Sequence, residues 1–123
     1  MVIASLGINS YLSYTTKALE GEIRVNAKID FGTSEKNRMI EVKNGTTVLE
    51  VLESIADVET KEYTGMGKLV TSIDGVKQDS EHSWLYFVNG ELASISVDNY
   101  KLSEDSSFTF KYLSSEEALK YFE

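Results

Sequence analysis

Aromatic and small polar side chains are gathered in two short runs of this sequence, and they are the residue types best suited to holding a ligand. Ser83, Trp84 and Tyr86 fall in one strongly apolar run, and Asn99 and Tyr100 follow in a polar stretch. Alternation along an extended chain puts Trp84 and Tyr86 on the same face. Their rings would supply a platform for a planar ligand or a sugar, and Ser83, Asn99 and Tyr100 would add donors and acceptors, the mixture that small-molecule sites use. The same run is also apolar at Leu85 and Phe87. A central strand buried on both faces is therefore the competing reading, stronger for Trp84 than for Tyr86.

Carboxylates offer less. Asp74 and Asp79 flank a turn, Asp98 sits beside Asn99, and Glu104 adjoins Asp105. A hard cation such as calcium takes about six to eight oxygens, and no Asp-x-Asp-x-Asp-Gly string gathers them, so these residues read as solvated acidic surface. No spacing singles out a carboxylate pair for general acid–base work. His82 is the single histidine and cysteine is absent, which leaves no material for a Ser-His-Asp triad, a multi-histidine metal site, a thiolate zinc site or an iron–sulfur cluster. The Gly65-Met66-Gly67-Lys68 segment lacks the helix that a phosphate-binding loop requires and reads as a turn or bulge. The expectation is a protein that is not an enzyme, with no catalytic residue, no metal and no cofactor.

The elements that would position these residues follow from periodicity. Ile23, Val25, Ala27, Ile29 and Phe31 alternate with polar residues and predict a strand over 23–31, followed by a turn over 32–37 and a second strand over 39–43. Thr47 and Glu50 have the spacing of a capping box, and Val48, Val51, Leu52 and Ile55 fall at helical intervals, predicting a helix to about residue 56. A strand is expected over 68–73, turned by Asp74-Gly75. Another is expected over 84–88, turned by Asn89-Gly90, a strong hairpin signal. Phe108, Phe110 and Tyr112 mark a last strand, after which Ser114 to Glu117 can cap a short terminal helix. The order β-β-α-β-β-β-α predicts an α+β protein of the β-grasp kind, a mixed four- or five-stranded sheet with one covering helix.

The chain of 123 residues is expected to hold one domain over 21–123, with residues 1–20 as an N-terminal segment. The apolar run from Val2 to Ile8 in that segment reads equally as the remnant of a signal or anchor and as an amphipathic segment packed on the domain. A net charge of −8, with no block of Lys and Arg to offset it, would repel nucleic acid. No run approaches the roughly 20 apolar residues of a membrane span. A monomer is expected.

Val70-Thr71-Ser72-Ile73-Asp74-Gly75, then Trp84-Leu85-Tyr86-Phe87-Val88-Asn89-Gly90, then Asp98-Asn99-Tyr100-Lys101-Leu102 resemble the transcobalamin-like C-terminal domain family. There a TSIDG turn, a WxYYVNG hairpin and a DYxL segment follow in this order. The resemblance runs over about residues 22–113. It implies a β-grasp fold, a ligand-binding role in a secreted or cell-surface protein, and cobalamin as a possible ligand on resemblance alone. A protein-interaction or structural module of a surface protein is the alternative. The family's Gly-Asp before the last strand is replaced here by Glu104-Asp105-Ser106-Ser107.

Overall fold

The computed structural model describes residues 21–122; the N-terminal segment 1–20 lies outside them. β1 (Glu22–Asp30) alternates buried Ile23, Val25, Ala27 and Ile29 with wet residues, and it pairs antiparallel with β2 (Glu35–Lys43). The chain then enters α1 (Val48–Ile55), where the Thr47 hydroxyl accepts from Glu50 N–H at 3.1 Å and the Glu50 carboxylate accepts from Thr47 N–H at 2.9 Å. Val48, Leu49, Val51 and Leu52 form its buried stripe.

Five further strands precede a last, central one: β3 (Val58–Tyr63), β4 (Gly67–Ile73), β5 (Val76–Lys77), β6 (His82–Val88) and β7 (Glu91–Leu92). β8 (Ser106–Ser114) runs parallel to β1 and antiparallel to β6. The main sheet has the order β2-β1-β8-β6-β7, and β3-β4-β5 form a second, smaller sheet. The strands expected at 23–31, 39–43, 84–88 and 108–112 thus belong to one sheet, as predicted, and the class is α+β. Its core gathers the α1 stripe, the inward side chains of β1, Phe108 and Phe110 of β8, Trp84 and Val88 of β6, and Val70 and Ile73 of β4.

Two corrections to the sequence reading stand out. β3 was not expected, because Glu59, Lys61 and Glu62 leave its VETKEY sequence with no apolar alternation. β2 begins at Glu35 and not at Met39, because its first half is an exposed edge carrying Glu35, Lys36 and Arg38, residues that protect an edge and hide it from a hydrophobicity pattern.

The second sheet is fastened to the first by side chains. The Trp84 indole Nε1–H donates to Val76 C=O at 2.9 Å and the Tyr112 hydroxyl to Lys77 C=O at 2.7 Å. Lys36 meets Asp74 at 2.7 Å and donates to Ile55 C=O at 3.0 Å. On the opposite face of the main sheet, α2 (Ser115–Leu119) begins on a second capping box, Ser114 with Glu117, and runs into a 3-10 turn, Lys120–Phe122. Tyr121 there packs on Phe87 with ring centroids 5.0 Å apart. Among the described residues no helix is long and apolar enough to cross a membrane.

Candidate functional site

Between the β3–β4 hairpin and the edge of β6 lies a cleft of about 350 Å³. Its floor is aromatic: Trp84, Tyr86 and Phe110 border it, with Tyr86 stacked on Phe110 at 5.1 Å. One wall is residues 67–70 of β4, and the other is residues 92–97, which leave β7 and travel toward the helix. Met66, Leu69 and Ile95 stand on the rim and are 74%, 45% and 49% exposed.

The second wall is anchored by the start of α1. Val48 N–H donates to Tyr100 C=O and Leu49 N–H to Val97 C=O, both at 3.0 Å. These bonds occupy helix donors that would otherwise lack partners, and they fix residues 97–100 against the helix. The two walls meet at a clamp. Asp98 Oδ1 accepts from Lys68 N–H at 2.9 Å, and Gly67 lies so close to Ser96 that it has no room for a side chain.

Electrostatics follow from these contacts. The Lys68 backbone donor holds Asp98 below the usual carboxylate range, assisted by Ser96 and opposed by partial burial. Burial pushes the Tyr86 hydroxyl well above its ordinary value, with Tyr100 and Asp98 adding to the shift. That hydroxyl donates to Ile95 C=O. Asp74 is likewise lowered, by Lys36 and by Asp57 N–H.

A pH prediction arises here. Asp98 and Asp74 have folded-state values below their unfolded ones, so the unfolded chain binds more protons in acid. Their stabilisation is complete above the ordinary aspartate value of about 3.9 and is lost as pH falls through the depressed folded values. Melting temperature should be flat from neutral pH to about 5 and fall below about 4, with a shallower fall in Asp98→Asn. Equal slopes in the two proteins would show that the clamp does not depend on the Asp98 charge.

Of the residues singled out from sequence, the structure brings Trp84 and Tyr86 together on the cleft floor. Trp84 is 5% exposed and its indole N–H is already engaged, so it serves the core as well as the cleft. Ser83 and Tyr100 do not line the cleft; Tyr100 packs on the core and meets Tyr86 edge-on at 6.3 Å. Asn99 is exposed and spends its side-chain amide on Ser96 Oγ at 2.8 Å. Sequence reasoning missed the walls, Leu69, Ile95 and Gly67 above all. Gly65-Met66-Gly67 was the available signal, since a glycine beside a strand marks close backbone approach. Among the described residues, no group of three His, Cys, Asp or Glu is placed to hold a metal ion.

A mixed sheet grasping one helix, with an apolar cleft at the sheet edge, is a β-grasp domain. Residues 45–114 match the model of a domain of unknown function, DUF4430, and the chain belongs to that family. In structure it is similar to haptocorrin in complex with Cbi, with a TM-score of 0.67 and 19% identity over 76% of this chain. The chain spans 25% of the haptocorrin chain. It is also similar to a protein from Ruminococcus gnavus ATCC 29149 named as a candidate metal binder, with a TM-score of 0.63 and 20% identity, covering 76% of this chain and 98% of that one. These likenesses agree with the resemblance to the transcobalamin-like domains in fold. No curated protein matches the chain.

Proposed function

We propose that the chain is a non-catalytic binding module of a secreted or cell-surface protein, acting as a monomer and holding an apolar ligand in the cleft between β4 and β6. One observation carries this: a concavity of about 350 Å³ with an aromatic floor and apolar side chains exposed on its rim. Ligand pockets span about 300–1,000 Å³ and combine apolar walls with a few polar groups. A solvent-facing Met66, Leu69 and Ile95 around one opening would be a liability without an occupant.

The haptocorrin likeness makes cobalamin the first named compound to test. Trp84, Tyr86 and Leu69 offer largely apolar area to a large ring, but a cleft of this size takes only a part of it, so weak or no binding of cobalamin is expected. The metal reading suggested by the Ruminococcus gnavus neighbour finds no donor cluster among the described residues. The same exposed rim favours a second reading, contact with the surface of a neighbouring protein.

Trp84 is the one tryptophan of the chain, so its emission reports on the cleft. Titration with anilinonaphthalene sulfonate and with a panel of corrinoids, sugars and peptides should give a saturable change with at least one compound. Leu69→Asp, at an exposed position, should weaken it by roughly tenfold or more by placing a charge against the apolar site. No saturable change with any compound, or equal binding by the variant, would remove the cleft from consideration.

A further inference from the structure

We propose, on the reading of the cleft as a binding site, that its ligand is an extended apolar peptide segment, which adds to β6 as a short extra strand through the backbone N–H and C=O of Trp84. The hydrogen-bond parity of β6 makes the case. Just beyond the two ends of β6, Asn89 N–H donates to Ser107 C=O and Ser115 N–H to Glu81 C=O, both at 2.8 Å, in register with the β6–β8 pairs. Odd-numbered residues therefore bond to β8, and even-numbered residues turn their backbone groups to the opposite edge. On that edge His82 C=O accepts from Asp79 N–H and Tyr86 C=O from Ala93 N–H, each at 3.0 Å. Trp84 lies between them and has no backbone partner on that side among the described residues.

A backbone donor and acceptor left open in a residue only 5% exposed is uncommon, since buried main-chain groups nearly always find partners. The strand that would supply them is diverted. β7 pairs with β6 only at Phe87↔Leu92 and Val88↔Glu91. Beyond it, the chain is drawn away by the Tyr86 hydroxyl on Ile95 C=O, by Leu49 N–H on Val97 C=O and by the Asp98 clamp. The gap left beside Trp84 opens on the cleft. One donor and one acceptor on a single residue of a strand edge are complementary to a residue of an added strand, the basis of recognition by strand addition.

Charge selects the kind of segment. Among the described residues Lys68 is the one charged residue lining the cleft and no carboxylate lines it, although the whole chain carries −8. A segment bearing Lys or Arg would bury its charge against apolar walls with no carboxylate there to pair it. One rich in Asp and Glu would be repelled by the field of the whole protein. What fits is an uncharged segment in which apolar residues alternate with small neutral ones.

The test uses the isotope-labelled full chain and a panel of capped heptapeptides alternating Val, Leu or Phe with Thr. Each has two copies methylated on alternate backbone nitrogens, one for each parity. At least one parent peptide should shift the Trp84 and Tyr86 amide resonances saturably and protect the Trp84 amide from hydrogen exchange. One methylated copy should bind roughly tenfold more weakly, the loss of one or two hydrogen bonds. If parent and both copies bind alike, or the Trp84 amide stays unprotected at saturation, strand addition is overturned and the apolar cleft stands. If no peptide binds while anilinonaphthalene sulfonate does, the peptide class is overturned alone. If neither binds, the peptide class is overturned, and the cleft falls with it when no corrinoid or sugar binds either.

Discussion

Leu52→Ala is expected to destabilise the domain by about 2 to 5 kcal/mol. Leu52 is fully buried in the stripe of α1 that closes the core. An eight-residue helix has little stability of its own, so most of what holds α1 in place is burial of this stripe, aided by its capping box. Removing the Leu52 side chain loses its transfer free energy and leaves a void between the helix and a sheet whose facing residues Val25, Ala27 and Ile29 are completely buried. The helix cannot settle freely into that void, because Val48 and Leu49 are tied by their backbone to residues 100 and 97. Lys61→Ala, at an exposed position of β3, should change stability by about 0.5 kcal/mol or less. Urea denaturation of both variants decides the matter; equal midpoints would mean that α1 does not close the core.

What could be read from the sequence was whatever had one buried and one wet face. β1 alternates cleanly, α1 carries a capping box followed by a helical stripe, and Asn89-Gly90 turns the β6–β7 hairpin. β3 could not be read in this way, because its stability comes from pairing with β4 and hardly from burial, so the pattern that announces a strand is missing. The floor of the cleft was legible for the same reason that β6 was, since Trp84 and Tyr86 must share a face. Its walls were not. Gly67 and Ser96 lie far apart in sequence and meet only through tertiary packing, and the diversion of residues 93–97 depends on contacts between distant segments, the Tyr86 hydroxyl on Ile95 C=O, Leu49 N–H on Val97 C=O and Lys68 N–H on Asp98. Asn99 carries a role that its sequence position did not announce. Read from the sequence as a polar ligand contact, it also donates its amide to Ser96 Oγ within the turn that builds the wall.

Gly67→Ala should be the most damaging single change at the cleft, and Gly65→Ala supplies its control. Both glycines have positive φ, +94° and +80°, so an alanine at either is strained by about 1 to 3 kcal/mol. Only Gly67 is also crowded. A Cβ there would lie 2.8 Å from Ser96 Cβ and 2.9 Å from Asp98 Oδ1, and closer still to Ser96 Oγ, whereas nothing lies within 4 Å of one at Gly65. Relief requires the 96–98 turn to move off the β3–β4 hairpin, which parts Asp98 from Lys68 N–H. Losing a hydrogen bond to a charged acceptor costs about 1.5 to 3 kcal/mol more. Gly67→Ala should therefore be less stable than Gly65→Ala by roughly that amount, and it should melt in acid with the shallower slope of Asp98→Asn. It should also lose binding at the cleft, since the two walls are no longer held at a fixed spacing, while Gly65→Ala binds as the parent does. Denaturation midpoints that coincide for the two variants would show that the contact between Gly67 and Ser96 does not set the width of the cleft.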